Sequence, residues 1–227
     1  MALGDMDELH ISWTILAVLL LMLAAASAVF WLLARRETVW KRWFALGEWA
    51  RTHGAKLYRA PAAKLPEAVK FLSPLHPRPR LLLEAGQWSL VELMGDPPPQ
   101  SGNRGGRWRI LLRRIDGDWP GTALRPVTHV ASLADQLALT SFPSLGAGGR
   151  FVVFGSVASA AKALAHSSVE ALMPPDVGLV LAQNVMMLDF SPRPFDTIEF
   201  GRMLALSEQV AQHLPRVVIA VTEKPAT

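Results

Sequence analysis

The feature that most constrains this chain is the stretch from Ile11 to Ala34, 24 residues without one charged side chain. As a helix it would reach about 36 Å, more than the roughly 30 Å hydrocarbon core of a bilayer, so it reads as a transmembrane helix. Trp13 and Trp31 lie 18 positions apart, about 27 Å on a helix. That spacing lets each indole sit at one membrane interface, with its ring in the apolar layer and its N–H in the wet one. Within the run, Ala24, Ala25, Ala26, Ser27 and Ala28 form a small-residue patch where a second transmembrane helix can approach closely.

The same small residues would suit a signal-peptide cleavage site. The charge pattern argues against that use, because the first ten residues carry Asp5, Asp7 and Glu8 and no Lys or Arg, whereas a secretory leader opens with basic residues. The positive charge follows the run instead, in Arg35, Arg36, Lys41 and Arg42. Basic flanks stay on the cytoplasmic side. The expected organisation is an acidic extracytoplasmic segment (1–10), a span across a bacterial inner membrane (11–34), a Trp-rich basic juxtamembrane helix (35–54), a cytoplasmic domain (55–222) and a tail (223–227). The absence of cysteine agrees with a reducing compartment.

Trp40, Trp43, Phe44, Leu46 and Trp49 recur at helical spacing between Thr38 and His53, and Gly54 supplies an end. Trp40 and Trp43 with Lys41 and Arg42 suit the headgroup layer of anionic lipid. The same rings would equally pack on the domain, or continue the span as one long helix.

Beyond Gly54 the pattern predicts a short strand at Lys56 to Tyr58 and a short helix at Leu65 to Leu72. Two strands, Arg80 to Glu84 and Trp88 to Met94, are then joined through Ala85, Gly86 and Gln87. A Pro/Gly loop occupies Asp96 to Gly106. In the next strand, Arg107 to Ile115, Trp108, Ile110 and Leu112 alternate with Arg107, Arg109 and Arg113. This arginine stripe is either a solvated outer sheet face or a contact for lipid, an acidic partner or nucleic acid. Nucleic acid is not expected, because no stacking aromatics interleave with the arginines. Asp116 to Gly149 is punctuated by Gly and Pro and reads as irregular loop.

The last third predicts a strand at Phe151 to Phe154, a helix from Ala158 to Met173, a hairpin of Val177 to Ala182 and Val185 to Phe190, and a final amphipathic helix. Asp196 and Glu199 fit its N-terminal cap, Phe195 and Phe200 fit a hydrophobic staple, and Pro215 ends it. Val217 to Val221 offers one further strand. The two hairpins, "LLLEAGQWSLVEL" and "LVLAQNVMMLDF", echo each other loosely, as two weakly similar halves would. The expected fold class is therefore α+β, an antiparallel sheet packed by helices.

The order of span, Trp-rich helix, "PRLLLEAGQWSLVELMG", Pro/Gly loop, basic strand, "RFVVFG", "ALMPP", "VGLVLAQNVMMLDF" and "DTIEFGRMLALSEQVAQHLP" resembles a group of uncharacterised bacterial single-pass membrane-anchored proteins. The likeness covers most of residues 40 to 215. It departs before Phe151, where Gly149 and Arg150 stand in place of the group's usual Asp-Pro. It implies a C-terminal α+β domain and no particular activity.

Motifs of catalysis are missing. The six histidines never fall at HExxH or any paired ligand spacing, no GxSxG or GxxxxGK[ST] occurs, and there is no thiol nucleophile. Asp116 with Asp118, and His166 with Glu170, are explained by a turn and an exposed helix pair. The chain reads as a non-enzyme without cofactor or metal. Its expected partners are other integral membrane subunits, with Ala24 to Ala28 as helix contact, and anionic lipid headgroups. The expected role is an accessory or scaffold subunit of a larger inner-membrane complex, photosynthetic or respiratory. A membrane-tethered ligand-binding or regulatory domain that uses Arg107, Arg109 and Arg113 is the alternative.

Overall fold

The apolar run does not end in a break. In the computed structural model it belongs to one helix, α1, Asp5–Thr52, 48 residues long. No Gly or Pro lies between Asp5 and Leu46, so nothing interrupts the backbone ladder where a separate juxtamembrane helix was expected to begin. The continuous-helix alternative is the one observed. Among the described residues, no helix is long and apolar enough to cross a membrane.

The structure describes residues 5–60, 78–94, 107–128, 133–147 and 149–215, with side chains omitted at 5–12, 14, 32–40, 136, 146 and 147. The expected helix at Leu65 to Leu72, the loop at Asp96 to Gly106 and the strand at Val217 to Val221 lie outside these residues. The chain divides into two compact units, Met1–Gly47 and Glu48–Thr227.

In the second unit, α1 ends as Gly54 predicts. The Gly54 φ is +62°; its N–H reaches the Arg51 carbonyl at 3.3 Å, and the Ala55 N–H reaches that of Ala50 at 2.8 Å. This pair of bonds closes the helix in a Schellman motif, which needs a left-handed residue at that one position. One turn earlier, Trp49 stacks on His53 and meets Trp88 and Phe200 edge-on at 5.9 and 5.5 Å.

The sheet has seven strands, β1 Lys56–Arg59, β2 Arg78–Ala85, β3 Trp88–Met94, β4 Arg107–Pro126, β5 Ser144–Ala147, β6 Phe151–Gly155 and β7 Gly178–Asp189, all paired antiparallel. Their order is β1-β2-β3-β4-β6-β5, with β7 against β4. The 20-residue β4 is the spine: β3 pairs its first half, β6 its second, and β7 runs against both.

Two expectations fail here for one reason. Between Arg114 opposite Val185 and Trp119 opposite Gln183, four residues of β4 face the single Asn184 of β7. "IDGD" is thus absorbed as a wide bulge, with Gly117 at φ +89° and Gln183 at φ +54°. The strand continues past "DGDWPG" instead of ending, because a bulge kinks a ladder without reversing it. The same kink on the facing strand makes residues 178–189 one strand rather than a hairpin, so the echo between two halves is not carried into the fold. The rest of the expected loop holds α2, Leu133–Gln136, a 3-10 turn at Leu139–Ser141 and β5.

The helix expected from Ala158 to Met173 is also divided, into α3, Ala158–Ala165, and α4, Val169–Leu172. Between them the Ser167 hydroxyl donates to the Leu164 carbonyl at 2.6 Å and accepts from the Val169 N–H at 3.3 Å. A serine side chain here competes with the backbone ladder. The final helix, α5, Thr197–His213, starts as read: Asp196 accepts from the Glu199 N–H at 2.9 Å, and the Phe195 and Phe200 rings meet at 4.5 Å.

Both faces of the sheet are covered. The cross-strand row Leu83, Leu90, Leu111 and Leu188 is buried on the face that meets Phe200, Met203 and Val210 of α5. The other face carries Leu82, Val91, Ile110, Leu112 and Met187 against Leu133, Ala134 and Leu139. Each fully buried aliphatic side chain of this kind contributes about 1.5–3 kcal/mol.

Candidate functional site

The parity of β4 puts Trp108, Ile110 and Leu112 on the α2 face and Arg107, Arg109 and Arg113 on the α5 face. The arginine stripe is therefore not an outer sheet face, because α5 and the turn after β7 lie over most of it. Arg109 is four-fifths buried, and its Nη1 donates to the carbonyls of Ser191 and Arg193 while Glu92 approaches Nε at 3.8 Å. Its guanidinium also stands over the Phe195 ring at 5.9 Å. Arg113 donates to the Ser207 hydroxyl at 3.1 Å and lies 3.9 Å from Glu208. Arg107 alone of the three is exposed.

A second set of charges, not read from sequence, secures the start of α5. Arg193 forms a two-pronged bond with Asp176, Nη2 to Oδ1 at 2.6 Å and Nε to Oδ2 at 2.9 Å, and its Nη1 donates to Glu199 at 2.6 Å. The hydrogen bond to Asp176, joined by that to Glu199, holds the Arg193 pKa above its ordinary value against partial burial. Glu199 thus turns to Arg193 rather than back to the cap, leaving half of the expected capping box.

Asp189 is the buried carboxylate of the opposite face, in the row Leu82, Val91 and Ile110. It accepts from the Leu133 N–H at 2.8 Å, the Ser191 N–H at 3.1 Å and the Ser191 hydroxyl at 2.5 Å. A buried charge needs such partners. Here they tie α2 and the turn after β7 to one residue. The sequence signal was faint: one Asp closing an apolar strand.

The β4 bulge borders an open groove of about 700 Å³, lined by Arg113, Arg114, Asp116, Asp118 and Glu208 beneath the last turn of α5. Its charges are mixed, and Asp116 and Asp118 are exposed. Nδ1 of each of His53, His166 and His213 lies 2.8 Å from the carbonyl four residues back, which puts the ring proton on Nδ1 and turns each histidine to its own helix. His166 and Glu170 fall on opposite sides of the α3 to α4 break. Among the described residues, no group of three or more His, Asp or Glu side chains could hold a metal ion.

No protein-family model matches the sequence, and no curated protein matches it. Among solved structures, the crystal structure of the mycobacterial trehalose monomycolate transport factor A, TtfA, is similar to this chain. The TM-score is 0.47 at 12% identity, over 76% of this chain and 95% of that one.

On α1, the side chains of Trp13 and Trp31 are 65% and 58% exposed, and Ala24, Ala25, Ala26, Ser27 and Ala28 are exposed between them. Lys41 and Arg42 are exposed and Trp43 is half-buried. The side chains of Arg35, Arg36 and Trp40 lie outside the described residues.

Proposed function

We propose that this chain is a non-enzymatic, membrane-anchored accessory subunit. In this reading α1 crosses a bacterial inner membrane with its N-terminus outside, and the α+β domain lies on the cytoplasmic side as part of a larger respiratory or photosynthetic assembly. One observation carries it: from Ile15 to Trp31 the large apolar side chains of α1 are 46% to 75% exposed, while the sheet domain buries its own. A helix that is apolar all round and unburied by its own chain needs a non-aqueous surrounding. Trp13 and Trp31 then mark the two interfaces, and Arg35, Arg36, Trp40, Lys41, Arg42 and Trp43 lie at the cytoplasmic headgroups. The Ala24 to Ala28 patch is the surface for a neighbouring helix.

Gentle detergent extraction of native membranes, followed by native electrophoresis, tests this. The chain should migrate in a complex with integral membrane proteins. Recovery from the soluble fraction, or as a partner-free monomer, would overturn the reading.

A second reading, a membrane-tethered ligand-binding domain, is favoured by the groove at the β4 bulge. Arg109 and Arg113 would there serve the site indirectly, since both hold partners within the domain. Saturable binding of a small charged ligand, abolished by Arg114→Gln with Asp116→Asn, would separate it from the first.

A further inference from the structure

We propose that Arg78, Arg80 and Arg107, together with Met94, form a contact surface for the anionic phospholipid headgroups of the membrane that α1 enters. The inference rests on the anchoring reading above and names the second membrane contact that the anchor makes possible.

The register brings these residues together from separate parts of the chain. Arg78 of β2 pairs with Met94 of β3, and Met94 pairs with Arg107 of β4. Directly paired residues share a face, and neighbouring strands lie about 4.8 Å apart, so two guanidinium stems flank one thioether about 10 Å from each other. Arg80 stands beside them at the irregularity between Pro79 and Leu81. All three arginines are exposed, and Met94 is 38% exposed. None of the three has a side-chain partner among the described residues. The carboxylate two residues back along β3, Glu92, is buried and turned to Arg109. It leaves the row's charge standing.

Chemistry and magnitude select the occupant. Nucleic acid would be held by exposed stacking aromatics, and Trp108, next to Arg107, is buried on the opposite face. An exposed thioether among guanidinium groups matches the boundary between headgroups and acyl chains. Each basic residue near an anionic surface is worth about a fivefold gain in partitioning, so three give about a hundredfold. That falls far short of the roughly millionfold a free partner at micromolar concentration requires. It is ample for a domain whose own tether supplies the effective concentration.

The chain has no cysteine, so Met94→Cys carries a single environment-sensitive label, and Asp116→Cys places a control at the exposed bulge midway along β4. Full-length protein is reconstituted into vesicles of phosphatidylcholine alone or mixed with phosphatidylglycerol, and a lipid-borne quencher reads the lipid-facing fraction of label. The label at 94, and not at 116, should become lipid-facing with phosphatidylglycerol and return to water at 1 M salt, where the Debye length is about 3 Å. Arg107→Gln should lower the ratio of lipid-facing to water-facing label about fivefold, and all three Arg→Gln changes about a hundredfold.

A chain that floats with neither vesicle overturns the anchoring reading and this one together. A chain that floats with both, with the label at 94 equally exposed in each, overturns this one alone. A response to polyglutamate in detergent without a response to phosphatidylglycerol would also overturn it, in favour of an acidic protein face.

Discussion

Residues 15–31 of α1 and residues 178–189 of β7 draw on nearly the same aliphatic alphabet and meet opposite surroundings. On α1 the large apolar side chains are 46% to 75% exposed; on β7, Leu179, Val180, Leu181, Val185, Met186, Met187 and Leu188 are at most 2% exposed. Composition does not separate them, and geometry does. A strand sends alternate residues to two faces, each covered here by the domain's own helices, whereas a helix that is apolar on every side has no polar face to leave in water.

Charge is the strongest way to break this comparison. On the proposed anchoring, Leu20→Arg with Leu23→Arg should shift the protein from the carbonate-resistant membrane pellet to the supernatant, since each arginine at a helix centre costs about 2.5–3.5 kcal/mol of insertion. Leu188→Arg should unfold the domain and leave it in the pellet, read by loss of protease resistance. If both variants behaved alike, the proposed division between a lipid-facing and a self-buried region would fail.

Truncation gives the next effect. Phe200→Ala removes a ring that meets Trp49, Phe190 and Phe195 and should cost about 3–5 kcal/mol in urea denaturation. Ile15→Ala, on an exposed side chain, should move the same midpoint by no more than about 0.5 kcal/mol.

The regions also differ in how far their sequence could be read. Local signals carried through: Gly54 closed α1, Gly86 turned the β2 to β3 hairpin, and Asp196 with Phe195 and Phe200 opened α5. These depend on a few neighbouring residues, where backbone preference and side-chain chemistry act alone. What was illegible depended on partners distant in sequence. "DGDWPG" reads as a terminator, and the pairing with β7, which resumes at Trp119 opposite Gln183, keeps β4 continuous through it. Gln183 and Asn184 read as a turn for the same reason. Alternation separates the arginines of β4 from Trp108, Ile110 and Leu112, but no periodicity announces that α5 covers Arg109 and Arg113 and leaves Arg107 open. Nor does it announce that Arg78 would join Arg107 from about thirty residues away.

Asp189 sharpens the comparison at smaller scale, being the one charge in its apolar row. Asp189→Asn presents an amide N–H₂ to at least one of three donors, the N–H groups of Leu133 and Ser191 and the Ser191 hydroxyl. The expected loss is about 1–3 kcal/mol by urea denaturation, with faster amide exchange at Leu133. A neutral result would mean that α2 is held by its apolar contacts alone.

The smallest effect belongs to the exposed end of α1, where Arg51 donates to Glu48 at 2.6 Å. That hydrogen bond, then the charge of Arg51, holds the Glu48 carboxyl below its ordinary pKa. A depressed carboxylate stabilises the fold above its unfolded-state pKa and loses that contribution as pH falls through the folded one. The pair therefore acts undiminished at neutral pH and fades only in acid. Both side chains are more than half exposed, so water and salt screen most of the attraction. Glu48→Gln should leave the neutral-pH midpoint within error and flatten only the acid limb of a stability-against-pH curve. A loss at pH 7 as large as that of Asp189→Asn would place Glu48 in a drier setting than its exposure allows, and would erase the difference between the rim of this domain and its core.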